Sequence, residues 1–313
     1  MTFEHYILTR FNLPIFQPKV KGRETTSCDE SYLSYRFNLF EQYCMPSIVQ
    51  QSCQNFKWLV LFDIRTPDKF KQWASHWQDI YPNLIPCYLD MASYKEIPNA
   101  YFDLCKDYET KVENRYGDIR YDLADFEKER PLRLVTPLFI KNAIKRCSNT
   151  TPDFYVTTRI DNDDAFHHDM VKIIQQKVIL EQREVVYDFV YTYKWILNEG
   201  FAYRYHLPNG HFITFVEKSD KPFQSVLFWN HLYIELFADV QHFYQAPLQT
   251  ELIHGNNVVN DFTQITCGGM LYALWHFKQS DFGYKNVHFS FSHFLKVFGF
   301  IAKGKIQSML KNK

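Results

Sequence analysis

The sequence predicts an α/β fold: a Rossmann-type mixed sheet with flanking helices, a strand-rich antiparallel second half and a C-terminal helix. Three features point there. Strand and helix signals alternate through the first ninety residues. The strands read as continuous apolar runs, as strands buried on both faces do. The second half then carries several strand-like runs around a turn signal. Such an alternation gives a right-handed βαβ sheet with helices on its faces.

In order, Tyr6 to Phe11 is the first strand, and Pro14 and Pro18 then hold the chain open. Ser27-x-x-Glu30 is a capping-box pattern, so a helix follows, with Leu33, Phe37, Phe40 and Cys44 along one face. Pro46 ends or kinks it. Phe56 to Asp63 is an apolar run stopping on an acid, a buried strand. Thr66-Pro67 is an N-cap followed by proline, predicting a helix to about Tyr81. Leu84 to Asp90 is the third strand. The charge-dense stretch 101–131 covers the sheet edge or forms part of a lid, and helical spacing returns from Leu134 to Cys147. Tyr155 to Ile160, rich in β-branched residues, is another strand. Asp161-Asn162-Asp163-Asp164 follows it, then a helix with Phe166, Met170, Ile173, Ile174 and Val178 as its buried stripe. Val185 to Leu197, Phe201 to His206, His211 to Val216 and Leu248 to Ile253 are strand-like. Pro208-Asn209-Gly210 predicts a hairpin between two of them.

Composition narrows the class. The chain has 313 residues, with Lys+Arg and Asp+Glu both 35 and 46% hydrophobic residues. That excludes a disordered chain, and the absence of an overall basic field argues against a nucleic-acid partner. Ten glycines against 29 Phe, 21 Tyr and 6 Trp argue against a glycine-rich phosphate loop. Seven cysteines stand singly with no CxxC pair, the pattern of reduced thiols in a cytoplasmic protein. Met1-Thr2-Phe3-Glu4-His5 does not read as a secretory leader, and no run suits a membrane span.

The most informative segment is Asp161-Asn162-Asp163-Asp164. Three carboxylates within four positions repel one another unless a cation neutralises them. They follow a strand of an α/β sheet, at the end where such folds bind ligands. Hard oxygen ligands there suit Mn²⁺ or Mg²⁺. The other reading is a helix start, with Asp163 or Asp164 as a cap.

Here the sequence resembles a family. Thr9-Arg10-Phe11-Asn12, Arg36-Phe37-x-Leu39-Phe40-Glu41-x-Tyr43-Cys44-x-Pro46-Ser47, Gln50-Gln51, Phe56-x-Trp58-Leu59-Val60-Leu61-Phe62-Asp63, Thr157 to Ala165 and His254-Gly255-Asn256 look like the bacterial rhamnosyltransferase family. That family lies within the nucleotide-sugar-dependent glycosyltransferases of the GT-A fold. The resemblance implies one GT-A-like domain over 1–284, with a nucleotide-binding half (about 1–165) and an acceptor half (about 166–284). It implies a metal-dependent, inverting transfer of a sugar such as rhamnose, from a nucleotide-diphosphate donor such as dTDP-rhamnose. The acceptor would be a saccharide or lipid-linked molecule in surface-polysaccharide synthesis. By the same resemblance, Asp161 faces the nucleotide, Asp163 and His254 hold the metal, and Asp164 is a second ligand or orienting acid. Asp63 reads the base, unless it only caps its turn. Arg10, beside Thr9, and Arg133 grip the diphosphate, and Arg159 does so or orients the acids. Glu217 is the candidate catalytic base, with Asp188 and Asp261 weaker. His167 and His168 read as helix-surface residues and Arg130 as a surface ion pair. Tyr191, Tyr193, Trp195, Tyr203 and Trp229 are a mixture of core and acceptor-stacking rings. A nucleotidyltransferase and a non-catalytic, cation-dependent carbohydrate-binding protein are the alternatives.

Residues 285–313 form a basic amphipathic segment. Six lysines and no acid follow Asp281, so the 35 basic residues less those six leave 29 against 35 acids elsewhere, a body of charge −6. Phe291, Phe294, Leu295, Phe298, Ile301, Ala302, Ile306 and Met309 recur at helical spacing, with Lys296, Lys303 and Lys311 opposite. That suits peripheral contact of 291–311 with an anionic inner membrane, or packing on the domain.

Overall fold

Apolar runs set the sheet, and helices that hide one face each cover it. The computed structural model describes residues 1–14, 19–20, 23–116, 120–254, 265–285 and 287–311. Pro18, Gly255, Asn256 and Asp261 lie outside the described residues, as do the side chains of Ile306, Met309 and Lys311.

Strand β1 (Phe3–Arg10) is followed by a two-stranded ribbon, β2 (Lys19–Val20) and β3 (Arg23–Glu24). Helix α1 (Glu30–Leu39) is capped by Asp29, not Ser27. Asp29 stands directly before the first helical residue, and its carboxylate accepts the N–H groups of Ser31 and Tyr32, while Ser27 lies two residues too early to cap. A π-helical turn, Phe40–Cys44, leads into α2 (Met45–Val49), with Pro46 in its first turn, where no N–H partner is required. The rod therefore continues past the proline. Next come β4 (Lys57–Asp63), α3 (Asp68–Ile80), β5 (Leu84–Leu89), α4 (Asn99–Tyr116), α5 (Arg120–Cys147) and β6 (Phe154–Arg159). The rest comprises β7 (Ala165–Phe166), α6 (Met170–Glu181), β8 (Val185–Phe189), β9 (Tyr191–Ile196), β10 (Phe201–His206) and β11 (Thr214–Lys218). After these follow β12 (Val240–Phe243), β13 (Gln249–Ile253), α7 (Cys267–His276) and α8 (Phe291–Lys311).

The main sheet runs β12-β8-β11-β6-β1-β4-β5. Strands β6, β1, β4 and β5 are mutually parallel, while β11 is antiparallel to both its neighbours. A second sheet runs β10-β9-β13-β7. The mixed α/β expectation holds, but the second half is not purely antiparallel: β12 pairs with β8, and β13 with β9, in parallel. Asn209-Gly210 does not close a hairpin either. Strands β10 and β11 enter different sheets, and the Asn209 N–H goes to the Asp188 carboxylate.

Helices α4 and α5 cover one face of the main sheet, where Tyr101, Tyr108, Ile140 and Ile144 join Leu8, Leu59 and Leu61. The described part of the charge-dense stretch in α4 thus lies on a face of the sheet instead of along its edge. Tyr101, Cys105, Tyr108 and Val112 recur at helical spacing and are buried, with the charges turned to solvent. On the other face α1, the π-helical turn after it, α3 and α6 place Phe37, Phe40, Trp77 and Ile174 against Ile7, Trp58, Val60 and Val156. Each such side chain contributes roughly 1.5–3 kcal/mol by burial. Helix α8 packs on the second sheet through Phe294, with Val297, Phe298 and Ile301 partly covered. Phe291, Leu295 and Phe300 stay exposed beside Lys296, Lys303 and Lys305. No helix among the described residues is long and apolar enough to cross a membrane.

Candidate active site

Three adjacent parallel strands stop at polar residues: β1 at Arg10, β4 at Asp63 and β6 at Arg159. The acid turn 161–164 leaves β6 and runs straight into β7 of the second sheet, so it sits where the two sheets meet. Asn162 donates to the Phe11 carbonyl at 3.2 Å and fastens the turn to the end of β1. Strand β13, paired with β7, brings Glu251, Leu252 and His254 to the same place.

Each acid has its own partners. Asp161 is held by Arg159 at 3.0–3.2 Å. Burial opposes its charge, but Arg159, His211 and Arg10 outweigh burial and hold it well below the usual carboxylate range. Asp163 receives both terminal nitrogens of Arg36, at 2.8 and 2.9 Å, and lies 3.0 Å from His254 Nε2. The Tyr35 hydroxyl meets His254 Nδ1 at 2.8 Å. Burial again opposes ionisation of Asp163, and Arg36 and His254 outweigh it. Asp164 accepts the Leu252 N–H at 3.0 Å and lies 3.2 Å from His211 Nε2. Burial and the neighbouring Asp163 push it up to about 7. Behind it, His211 Nδ1 is 3.7 Å from Glu251, which pairs with Lys194 at 3.2 Å. Four carboxylates thus lie among Arg10, Arg36, Arg159 and Lys194. Ligand atoms of Asp161, Asp164 and His211 lie within 4.8 Å of one another.

The other expected residues are placed as follows. Thr9 is buried and accepts the Trp58 indole N–H at 2.9 Å, a packing role. Asp63 is buried and bound by its neighbour Arg65 through backbone and side chain. Arg133 donates to the Phe228 carbonyl. Glu217 lies in β11 opposite Tyr155, six positions before Asp161 on the neighbouring strand, which is roughly 20 Å along the ladder. Its carboxylate accepts the N–H groups of Gln224 and Ser225 at 2.8 Å each, and burial pushes it up to about 7. The register separates it from the acid turn. Asp188 is buried and occupied by Asn209 and His242. Arg130 pairs with Glu109. Tyr193, Trp195, Tyr203 and Trp229 are buried, while Tyr191 is half-buried under Arg204. His167 and His168 precede α6 instead of lying within it.

Sequence reasoning did not assign Arg36, His211, Glu251 or Lys194. Lys194 and Glu251 carried a signal, since each is the one charge inside a strand buried nearly throughout.

Residues 4–126 match the family model described as "Putative rhamnosyl transferase". The resemblance read from the sequence holds over that segment, which carries Arg10, Arg36 and Asp63; the acid turn, His211 and His254 lie beyond it. A solved structure titled a "putative nucleotide-diphospho-sugar transferase from Desulfovibrio desulfuricans G20" aligns over 88% of this chain and 87% of that one. Its identity is 12% and its TM-score 0.31, too distant a likeness to carry an argument. No curated protein matches the chain.

Proposed function

We propose that the chain is a nucleotide-sugar-dependent glycosyltransferase that takes its donor at the acid turn. The reading is supported above all by three acids and three arginines, Arg10, Arg36 and Arg159, gathered where β1 and β6 end, in a chain whose first part matches the rhamnosyl transferase family. The donor sugar is a deoxyhexose such as rhamnose. Asp161, kept ionised by Arg159, faces the nucleotide, and Arg10 is directed to the diphosphate. Asp163 and His254, clasped by Arg36 and Tyr35, set the shape of the turn.

Two carboxylates and an imidazole at Asp161, Asp164 and His211 are donors that Mn²⁺ accepts more readily than Mg²⁺. When bound, such an ion neutralises charge on the departing diphosphate. The exposed Phe291, Leu295 and Phe300 beside Lys296 and Lys303 suit contact with an anionic bilayer carrying a lipid-linked acceptor. Co-sedimentation with phosphatidylglycerol vesicles should fall when Phe300 and Leu295 become Ser; unchanged sedimentation removes the membrane from the proposal.

Calorimetry with nucleoside diphosphates, with and without Mn²⁺, tests the activity. Binding should require the ion and weaken by about tenfold or more, about 1.4 kcal/mol, in Asp161→Asn. Slow donor hydrolysis should be lost in the same variant while its melting temperature holds. Absence of diphosphate binding would sink the proposal, and binding without hydrolysis or transfer would make the chain a binding protein.

A further inference from the structure

The turn at Asn209-Gly210 closes no hairpin, yet it is firmly held. The Asn209 N–H donates to Asp188 at 2.8 Å, its side-chain amide donates to Glu235 at 3.0 Å, and its carbonyl meets His231 Nδ1 at 2.7 Å. His242 lies between the same two acids, 2.8 Å from Asp188 and 3.2 Å from Glu235. The turn therefore leads directly into His211 and also fixes His231. We propose that His231 recognises the donor, its Nε2 accepting a hydrogen bond from a hydroxyl of the sugar to be transferred. This role rests on the glycosyltransferase reading above and adds to it the residue that reads the sugar.

The tautomer follows from the partner. A carbonyl oxygen can only accept, so His231 Nδ1 carries the ring proton and donates it to Asn209. In the neutral ring Nε2 is then a bare acceptor. At about pH 8, above the ordinary imidazole range, the ring is neutral. His231 opens the 3₁₀ turn His231–Leu236, where Asn230 caps the start by accepting the Leu232 N–H at 3.1 Å. The ring is thus carried by a capped element and fastened at one nitrogen.

Its surroundings place it beside the acid turn. The ring meets His211 edge-on with centroids 6.2 Å apart, and His211 Nε2 lies 3.2 Å from Asp164. Arg159, His211 and Arg10 are close enough to act on its charge. The residue is half-buried, within reach of a ligand.

These neighbours select the ligand group. Diphosphate oxygens accept hydrogen bonds and are met by the guanidinium groups, while a bare nitrogen has no proton to give them. A hydroxyl both donates and accepts, so it can bond Nε2 and a guanidinium N–H together. Strand order assigns that hydroxyl to the sugar. Strand β11, which follows the Asn209 turn, flanks β6 on one side, whereas β1 and β4 lie on the other and Asp63 ends β4. A nucleoside directed toward Asp63 leaves the sugar on the His231 side of the acid turn.

The test is calorimetry on the full chain at about pH 8 with Mn²⁺. Wild type is titrated with dTDP-rhamnose, UDP-glucose and GDP-mannose, and with dTDP, UDP and GDP. The tightest nucleotide sugar and its own diphosphate are then taken to the variants. His231→Asn keeps an amide N–H for the Asn209 carbonyl and removes the acceptor at Nε2. It should bind the nucleotide sugar about tenfold more weakly, bind the diphosphate within about twofold of wild type, and keep its melting temperature. His231→Phe, which keeps the shape of the ring, should show the same split and decides if His231→Asn does not fold. Unchanged affinity for the nucleotide sugar, or an equal loss of both ligands, overturns the role of His231 and leaves the proposed activity standing. Wild type that binds no diphosphate overturns the activity, and this role with it.

Discussion

Two buried carboxylate sites on one sheet are treated in opposite ways. Past the end of β6, Asp161 and Asp163 are met by guanidinium groups on side chains, Arg159 and Arg36, and stay ionised. On the adjacent β11, Glu217 is met by two backbone N–H groups, and burial pushes it up to about 7. Backbone amides satisfy its oxygens but supply little charge. Burial and acidity therefore do not mark a site on their own. What distinguishes the acid turn is that partly buried arginines keep two of its three carboxylates, Asp161 and Asp163, charged where strands end.

The largest test of this contrast is Arg36→Met. It leaves Asp163 buried without its cation, which should cost about 3–5 kcal/mol in urea unfolding, with Arg36→Lys recovering part of the loss. A loss within about 1 kcal/mol would mean that Asp163 does not depend on a buried cation, and the two sites would no longer differ. A smaller effect is expected at Glu217. Its ordinary value is 4.5, so between there and about 7 the folded chain holds a proton that the unfolded chain releases. Stability should therefore be full below about 4.5 and fall by roughly 3 kcal/mol as pH rises through about 7. In Glu217→Gln that part of the fall should vanish, leaving the part contributed by Asp164, which is also pushed up to about 7, while donor turnover per folded molecule is kept. A wild-type profile no steeper than that of Glu217→Gln would show Glu217 to be ionised like Asp161 and Asp163.

The parallel core was legible because strands buried on both faces leave continuous apolar runs, as Phe56 to Asp63 and Tyr155 to Ile160 do. The acid turn was legible as well, since like charges in succession are costly without a partner. Their partners were not. Arg36 meets Asp163 across 127 positions, and a pairing at that range is decided by how α1 lies on the sheet. Helix α4 was obscured by its own charges, which outnumber the four buried positions. Asn209-Gly210 carried a strong local turn signal, and Asn209 does adopt a left-handed conformation (φ +53). The strands on either side nevertheless find partners in different sheets, which local chemistry cannot foretell.

The acid turn also governs spacing. Asp161 to Asp164 is the whole length of chain between the end of the Ile160 pairing with β1 and the start of β7. Strand faces alternate residue by residue, so one inserted residue would turn Ala165 and Phe166 over relative to β13. It would also carry Asp164 away from the Leu252 N–H. The length of this turn is therefore an architectural constant: the same four positions that gather charge also set the phase between the two sheets. A substitution there changes the partners of one position, whereas an insertion would shift the pairing of β7 with β13.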